Sequence, residues 1–374
     1  MFKLQMLTLL AIFIIGQASA QEAKLSLLDD EAPTTSTAQP QKSDNSSTDK
    51  AAEAPQKERT FSEVLFNFLG MNIPENIPGA QKPLPKDLNE NSLTVITRKA
   101  DDGDVDSQLR LAYTYMYGAD NIPTDYSKAF HYYEMAARQS DPTALNNLGT
   151  LYYNGIGITR NTAKAIELFT QAAKQKNYEA ATNLGFIYVS GNGAPKDIGK
   201  GLQYFAQAVE GDNVLAKFML GYAYYQGKYI SQDYTKAAPY IKTAADAGFD
   251  EAQVLLADLY IFGHGYPQNY VSAVKYLNKA VAQGNVSAML RLADIYSGSI
   301  KYPTNMPAAH TLYNLAYVRG ISAAKSRLDT LQAHMQIEEL MDAQQSASDY
   351  VAKPSPLTEY VHKTFGNDII SYLK

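Results

Sequence analysis

Five histidines are the side chains best suited to proton transfer or metal binding in this chain: His131, His264, His310, His334 and His362. No two stand at the short spacings by which one helix or turn presents a metal with paired ligands, and cysteine is absent. His264 falls in a glycine turn and reads as an exposed turn residue. Three Gly-x-Gly triplets, beginning at Gly155, Gly191 and Gly263, have the composition of a phosphate cradle. A dinucleotide fingerprint also needs a preceding strand, a third glycine and a distant acid, which the sequence does not supply. No serine sits in a nucleophile elbow. The expectation is therefore a chain with no catalytic residue, cofactor or metal ligand, whose work is binding.

The triplets recur, and their period reveals the elements around them. A leucine followed by a small residue stands at Leu111-Ala112, Leu148-Gly149, Leu184-Gly185, Leu220-Gly221, Leu256-Ala257 and Leu292-Ala293, steps of about 36 residues. Four places after each leucine comes a tyrosine, from Tyr115 to Tyr296. Asp125, Asn161, Asp197, Asp233, Asn269 and Asn305 mark the second half of each unit, followed by two series of alanines (Gly201 the one exception) seven residues apart. Leucine and tyrosine four apart share one face of a first helix, and alanines seven apart share one face of a second. The Asp125 series can cap the second helices, and Asp141, Asn177, Asn213, Asp250, Asn285 and Ser322 the first. Segments such as NGIGITRN (154–161) read as turns between them. Each unit is a helical hairpin that buries its apolar face only by stacking on its neighbours. Small residues let the helices approach closely, and each tyrosine is expected to fill the wedge between hairpins.

The pattern A-x-x-x-L-G-x-x-Y-x-x-G-x-G, then D-x-x-K-A and a paired A-A, resembles the Sel1-like repeats, relatives of tetratricopeptide repeats. ALNNLGTLYYNGIG (144–157) followed by AKAIELFTQAAKQ (163–175) carries it most cleanly. The resemblance covers six repeats over about 102–321. It implies an all-α, right-handed superhelical solenoid of helical hairpins used as a protein-interaction scaffold. Exported bacterial members act as signalling regulators, envelope-assembly adaptors or host-facing factors. Some cysteine-rich relatives are linked to β-lactam ligands or hydrolysis, a property that carries over weakly to a chain without cysteine.

By analogy with tetratricopeptide arrays, the first helices line a concave face, and residues flanking each leucine point into it. The candidate partner groove is then Tyr113, Tyr117, Asn146, Thr150, Asn154, Thr182, Phe186, Ser190, Tyr222, Gln226, Asp258 and Phe262. Aromatic and amide side chains suit an extended peptide, rings giving contact area and amides pairing with backbone. Packing between hairpins is the alternative role for any one of them. Pro239 should kink the second helix of unit four, whereas Pro307 falls in a first turn and is tolerated. Unit six reads SGSIKYPTN where its siblings carry the glycine turn.

The flanks divide the chain further. Lys3, the apolar run Met6–Ile15 and Ala18-Ser19-Ala20 have the form of a signal peptide, 1–20, cleaved after Ala20. The run falls short of the roughly 20 residues that span a bilayer; an uncleaved anchor is the alternative. Residues 21–89 read as a disordered linker, polar and proline-rich, with a short amphipathic helix at 61–70 (FSEVLFNFLG). The solenoid proper is 90–351, with a lone leading helix and a closing helix pair as caps. Residues 352–374 form an apolar tail, expected to fold back along the solenoid or to meet a partner.

Loss of residues 1–20 removes Lys3 and no acid, moving the formal charge from −5 to −6. With no basic run, nucleic acid is excluded as a partner, and with no other apolar stretch near 20 residues so is stable membrane insertion after cleavage. An exported chain of this length without disulfides suits a bacterial periplasm, or secretion. The expected partner is a protein or peptide, in an envelope signalling or assembly role. A secreted host-interaction factor and a cell-wall or β-lactam-directed hydrolase are the alternatives.

Overall fold

The computed structural model describes residues 90–119, 122–366 and 369–373. The signal segment, the linker and its 61–70 helix lie outside those residues. The leading helix α1 spans Glu90–Asp101. Six hairpins follow: α2 Val105–Tyr117 with α3 Tyr126–Arg138, α4 Pro142–Asn154 with α5 Thr162–Lys174, and α6 Tyr178–Ser190 with α7 Ile198–Val209. Next come α8 Val214–Gln226 with α9 Tyr234–Asp246, α10 Asp250–Phe262 with α11 Tyr270–Ala282, and α12 Val286–Tyr296 with α13 Met306–Val318. The caps are α14 Ala323–Gln332 and α15 Ile337–Asp349; α16 Pro356–Phe365 and a 3-10 turn, Ile369–Leu373, close the chain. Each helix packs on its hairpin partner and on the next hairpin, so the array is a solenoid, and no strand occurs among the described residues. None of its helices is long and apolar enough to cross a membrane.

The spacing arguments hold at the helix starts. All six members of the Asp125 series accept a backbone N–H at the head of α3, α5, α7, α9, α11 and α13. Asp141, Asn177, Asn213 and Asn285 do the same for first helices. Asp250 and Ser322 do not. The 36-residue register places the fourth cap at Phe249, which has no side-chain acceptor, and Asp250 stands one residue later, inside α10. Its carboxylate is left for other partners.

Close approach explains the small residues. A Cβ on Gly149 or Gly185 would lie 2.9 or 2.5 Å from the ring of Phe169 or Phe205 on the second helix of the same hairpin. The triplets have two separate duties. Gly155, Gly191 and Gly263 end first helices in the left-handed conformation. Gly157 and Gly265 press against the backbone of the preceding hairpin, where a Cβ would meet the carbonyl oxygens of Tyr126 and Tyr234 at 2.7 and 2.3 Å.

Three of the six tyrosines stack within their own hairpin instead of filling the wedge between hairpins as expected. Tyr115 stacks on Tyr132, Tyr188 on Tyr204 and Tyr260 on Tyr276, each inside its own hairpin, at 5.8–6.2 Å between ring centres. Lys128 and Lys200 lie over the first two rings. A half-exposed phenol keeps its hydroxyl wet while the ring packs, which suits the outer edge of a hairpin better than its core. Tyr152 is set edge-on to Phe130 of the previous hairpin, and Tyr296 is buried. The hairpins are tied instead by glutamines: Gln139, Gln175 and Gln283 donate from their side chains to the carbonyls of Gly103, Ser140 and Gly248, one repeat back. Pro239 lies within α9, which runs on through it to Asp246.

Candidate functional site

The face lined by first helices is partly covered by the chain's own carboxyl terminus. From Tyr350 onward the chain forms a strap that runs back along this face. The Tyr350 hydroxyl donates to Val281 O and Lys353 N–H to Ala282 O. Ser355 N–H donates to Gln283 Oε1 at 2.8 Å, and its hydroxyl donates to Gly248 O at 2.7 Å. Ser355 also caps α16. Thr358, fully buried, accepts from Asp250 N–H; the nearest acceptor for its own proton is Gln283 Oε1 at 2.8 Å. Further on, Phe365 stacks on Phe186 with ring centres 4.1 Å apart, and the 3-10 turn reaches α6 and α8. Val361 of α16 and Ile369 and Leu373 of the turn are buried.

One turn of α16 past Thr358, His362 meets the head of α10. Its Nε2 lies 2.9 Å from Glu251 Oε1 and 3.5 Å from Asp250 Oδ1. Burial pushes the Glu251 carboxyl up to about 7 against the pull of the His362 bond, and the Glu251 bond holds the imidazole pKa above its usual value. No short histidine spacing marks His362 in the sequence. Its partners lie 111 and 112 residues away, and a search along the chain cannot find them.

The twelve groove candidates separate by location. Thr150, Asn154, Phe186 and Ser190 converge on one cavity of about 430 Å³, roofed by Tyr360, Thr364, Phe365 and Tyr372 of the strap and walled by Tyr153 and Asn183. Asn146 is buried, accepting from Asn183 of the next first helix, and Asp258 is buried in a two-pronged ion pair with Arg291 (2.8 and 2.7 Å). Both tie neighbouring hairpins. Thr182 returns its hydroxyl to Tyr178 O. Tyr222 is buried and accepts from exposed Gln226, while Tyr113 and Tyr117 pack ring to ring at 4.7 Å. Phe262 is 62 % exposed at the end of α10. His264, in the following turn, stacks on Tyr234 at 4.1 Å. A shallower depression of about 830 Å³ near Tyr188, Lys200 and Tyr229 lies outside the strap.

A stack of capped hairpins with small residues at every close approach, offering a face of aromatic and amide side chains, defines a helical-repeat interaction scaffold. The Sel1 repeat profile matches six successive segments, 105–141, 142–177, 179–213, 214–249, 250–285 and 286–320, and the chain belongs to that family. Sel1-repeat proteins generally mediate protein–protein interaction. No curated protein matches the chain. Among solved structures, it is similar to a protective antigen present in uropathogenic Escherichia coli strains that displays an SLR fold (23% identity, 75% of this chain and 67% of the other, TM-score 0.53). It is also similar to a Sel1 repeat protein from Oxalobacter formigenes (28% identity, 61% and 90%, TM-score 0.50).

Proposed function

We propose that this protein is a non-enzymatic adaptor that captures a segment of a partner protein on its first-helix face, and that the strap is the placeholder such a segment adjoins or displaces. The observation that carries this is the strap itself, a short helix and a 3-10 turn held by Phe186 of a first helix and by Gln283 and the Gly248 carbonyl at the ends of second helices. Its contacts support a face that takes a ring at Phe186 and polar groups at Gln283. The 430 Å³ cavity beside Phe365 is large enough for a further side chain. The apolar run Met6–Ile15 before Ala18-Ser19-Ala20, with the lack of cysteine, supports export to a bacterial envelope and a role in signalling or assembly there.

A photo-crosslinking residue placed in the full chain at Asn154, with another at Lys164 on the second helix of the same hairpin, tests the reading in living cells. A discrete protein adduct from position 154, absent from 164 and strengthened by Phe365→Ala, is expected. Adducts of equal yield from both positions, or none from 154 in either background, refute it. Recovery of a mature chain beginning at Gln21 in the periplasmic fraction tests export; a full-length cytoplasmic chain refutes that part.

A further inference from the structure

The acids at the head of α10 have more oxygens than the strap can serve. His362 presents one nitrogen to Glu251 Oε1 (2.9 Å) and to Asp250 Oδ1 (3.5 Å), and a single N–H satisfies only one of them. The Thr358 hydroxyl, 3.2 Å from Asp250 Oδ1, is nearer to Gln283 Oε1 at 2.8 Å. Glu251 Oε2 is buried and bonds to nothing. Two carboxylates, 2 % and 14 % exposed, thus face one imidazole with an oxygen left over.

We infer that Asp250, Glu251 and His362 form a binding site for one divalent transition-metal ion, zinc by its ligand chemistry, which pins the strap to α10. One ligand atom from each residue lies within 4.8 Å of the other two. Tetrahedral zinc with bonds of about 2.1 Å sets its ligand atoms roughly 3.4 Å apart, a spacing that the two His362 separations, 2.9 and 3.5 Å, bracket. An imidazole in the set selects zinc over calcium or magnesium, which take oxygen ligands. Asn285 donates to Asp250 Oδ2 at 2.9 Å and so orients Asp250 Oδ1 toward the site, a supporting bond of the kind metal carboxylates use. His362, 27 % exposed, leaves a side open for a water as fourth ligand. The charges also balance, since two carboxylates and a neutral imidazole neutralise a doubly positive ion. The site stands on this geometry whether or not the groove binds a partner.

The test uses the full chain, stripped with chelator and titrated with zinc chloride by calorimetry and thermal melting. One zinc per chain is expected, with a Tm rise of about 5 °C at a hundredfold excess over Kd. Glu251→Gln keeps the shape of the side chain and an acceptor for His362 but removes an anionic ligand. It should leave a cooperative zinc-free melt while weakening zinc binding by at least about tenfold. His362→Ala should abolish the zinc shift, and cobalt substituted for zinc should give d–d bands in the wild type that both variants lose. A wild-type chain with no zinc-dependent shift overturns the inference, as does a Glu251→Gln chain that binds zinc as the wild type does.

Discussion

Removing the Phe365 ring should free the strap without unfolding the array. Phe365 is half-buried, stacked on Phe186 at 4.1 Å and edge-on to Tyr360 and Tyr372 at 6.3 Å. Truncating a fully buried phenylalanine to alanine costs about 3–5 kcal/mol. Half of that burial gives about 2 kcal/mol, a factor of roughly thirty in the docking equilibrium. The strap's contacts lie outside the packing of hairpin on hairpin, so the loss falls on its local opening rather than on the stacked hairpins. Hydrogen–deuterium exchange followed by mass spectrometry reads this directly. Amides of residues 356–366 should exchange roughly thirtyfold faster in Phe365→Ala, while those of α4 and α12 keep their wild-type protection. Strap protection unchanged in the variant would show that the serine, threonine and histidine contacts hold the segment alone. Loss spread evenly over the solenoid would show that strap and array unfold as one.

Two further outcomes follow from the packing. Gly185→Ala places a methyl 2.5–2.9 Å from the buried ring of Phe205, and the overpacking cost of about 1–3 kcal/mol exceeds the gain in helix propensity. Calorimetry should show a Tm lower by roughly 3–6 °C, and a higher Tm would deny the close approach. His310 is fully buried, its Nε2 bonded to Gln332 and its Nδ1 without a partner, and burial lowers its pKa. The fold therefore refuses a proton that the unfolded chain accepts, so stability present above about pH 6.5 is lost as pH falls toward the folded pKa. His310→Gln should gain on the wild type in Tm between pH 7.5 and 5.5; parallel pH profiles would refute it.

The repeat was legible because its causes are local. Caps, turns and small-residue contacts recur every 36 residues, and each is set by a few neighbouring side chains. Errors entered where one unit departs from its siblings. Phe249 breaks the cap series, and Asp250, one place later, faces Asn285 and His362 instead of capping the helix. The tyrosines recur as faithfully as the leucines, yet periodicity does not say on which side of a helix pair a ring settles. Of the groove candidates, Asn146 and Asp258 prove to be ties between neighbouring first helices, and Phe186 lies under the strap. The strap was recognised as too apolar to be idle, but its landing place depends on contacts made across more than a hundred residues, as between Thr358 and Asp250. No periodic signal encodes those.

The strap also changes how the array can come apart. A stack in which each hairpin touches only its neighbours can unzip from either end, one unit at a time. Here the chain leaves the sixth hairpin through its cap helices, returns past Gln283 and Gly248, and reaches Phe186 in the third. The intervening hairpins are thereby enclosed in a circuit. Under a pull on its carboxyl terminus, the protein should give way first at the strap, as a short mechanical fuse, before the stack bears load.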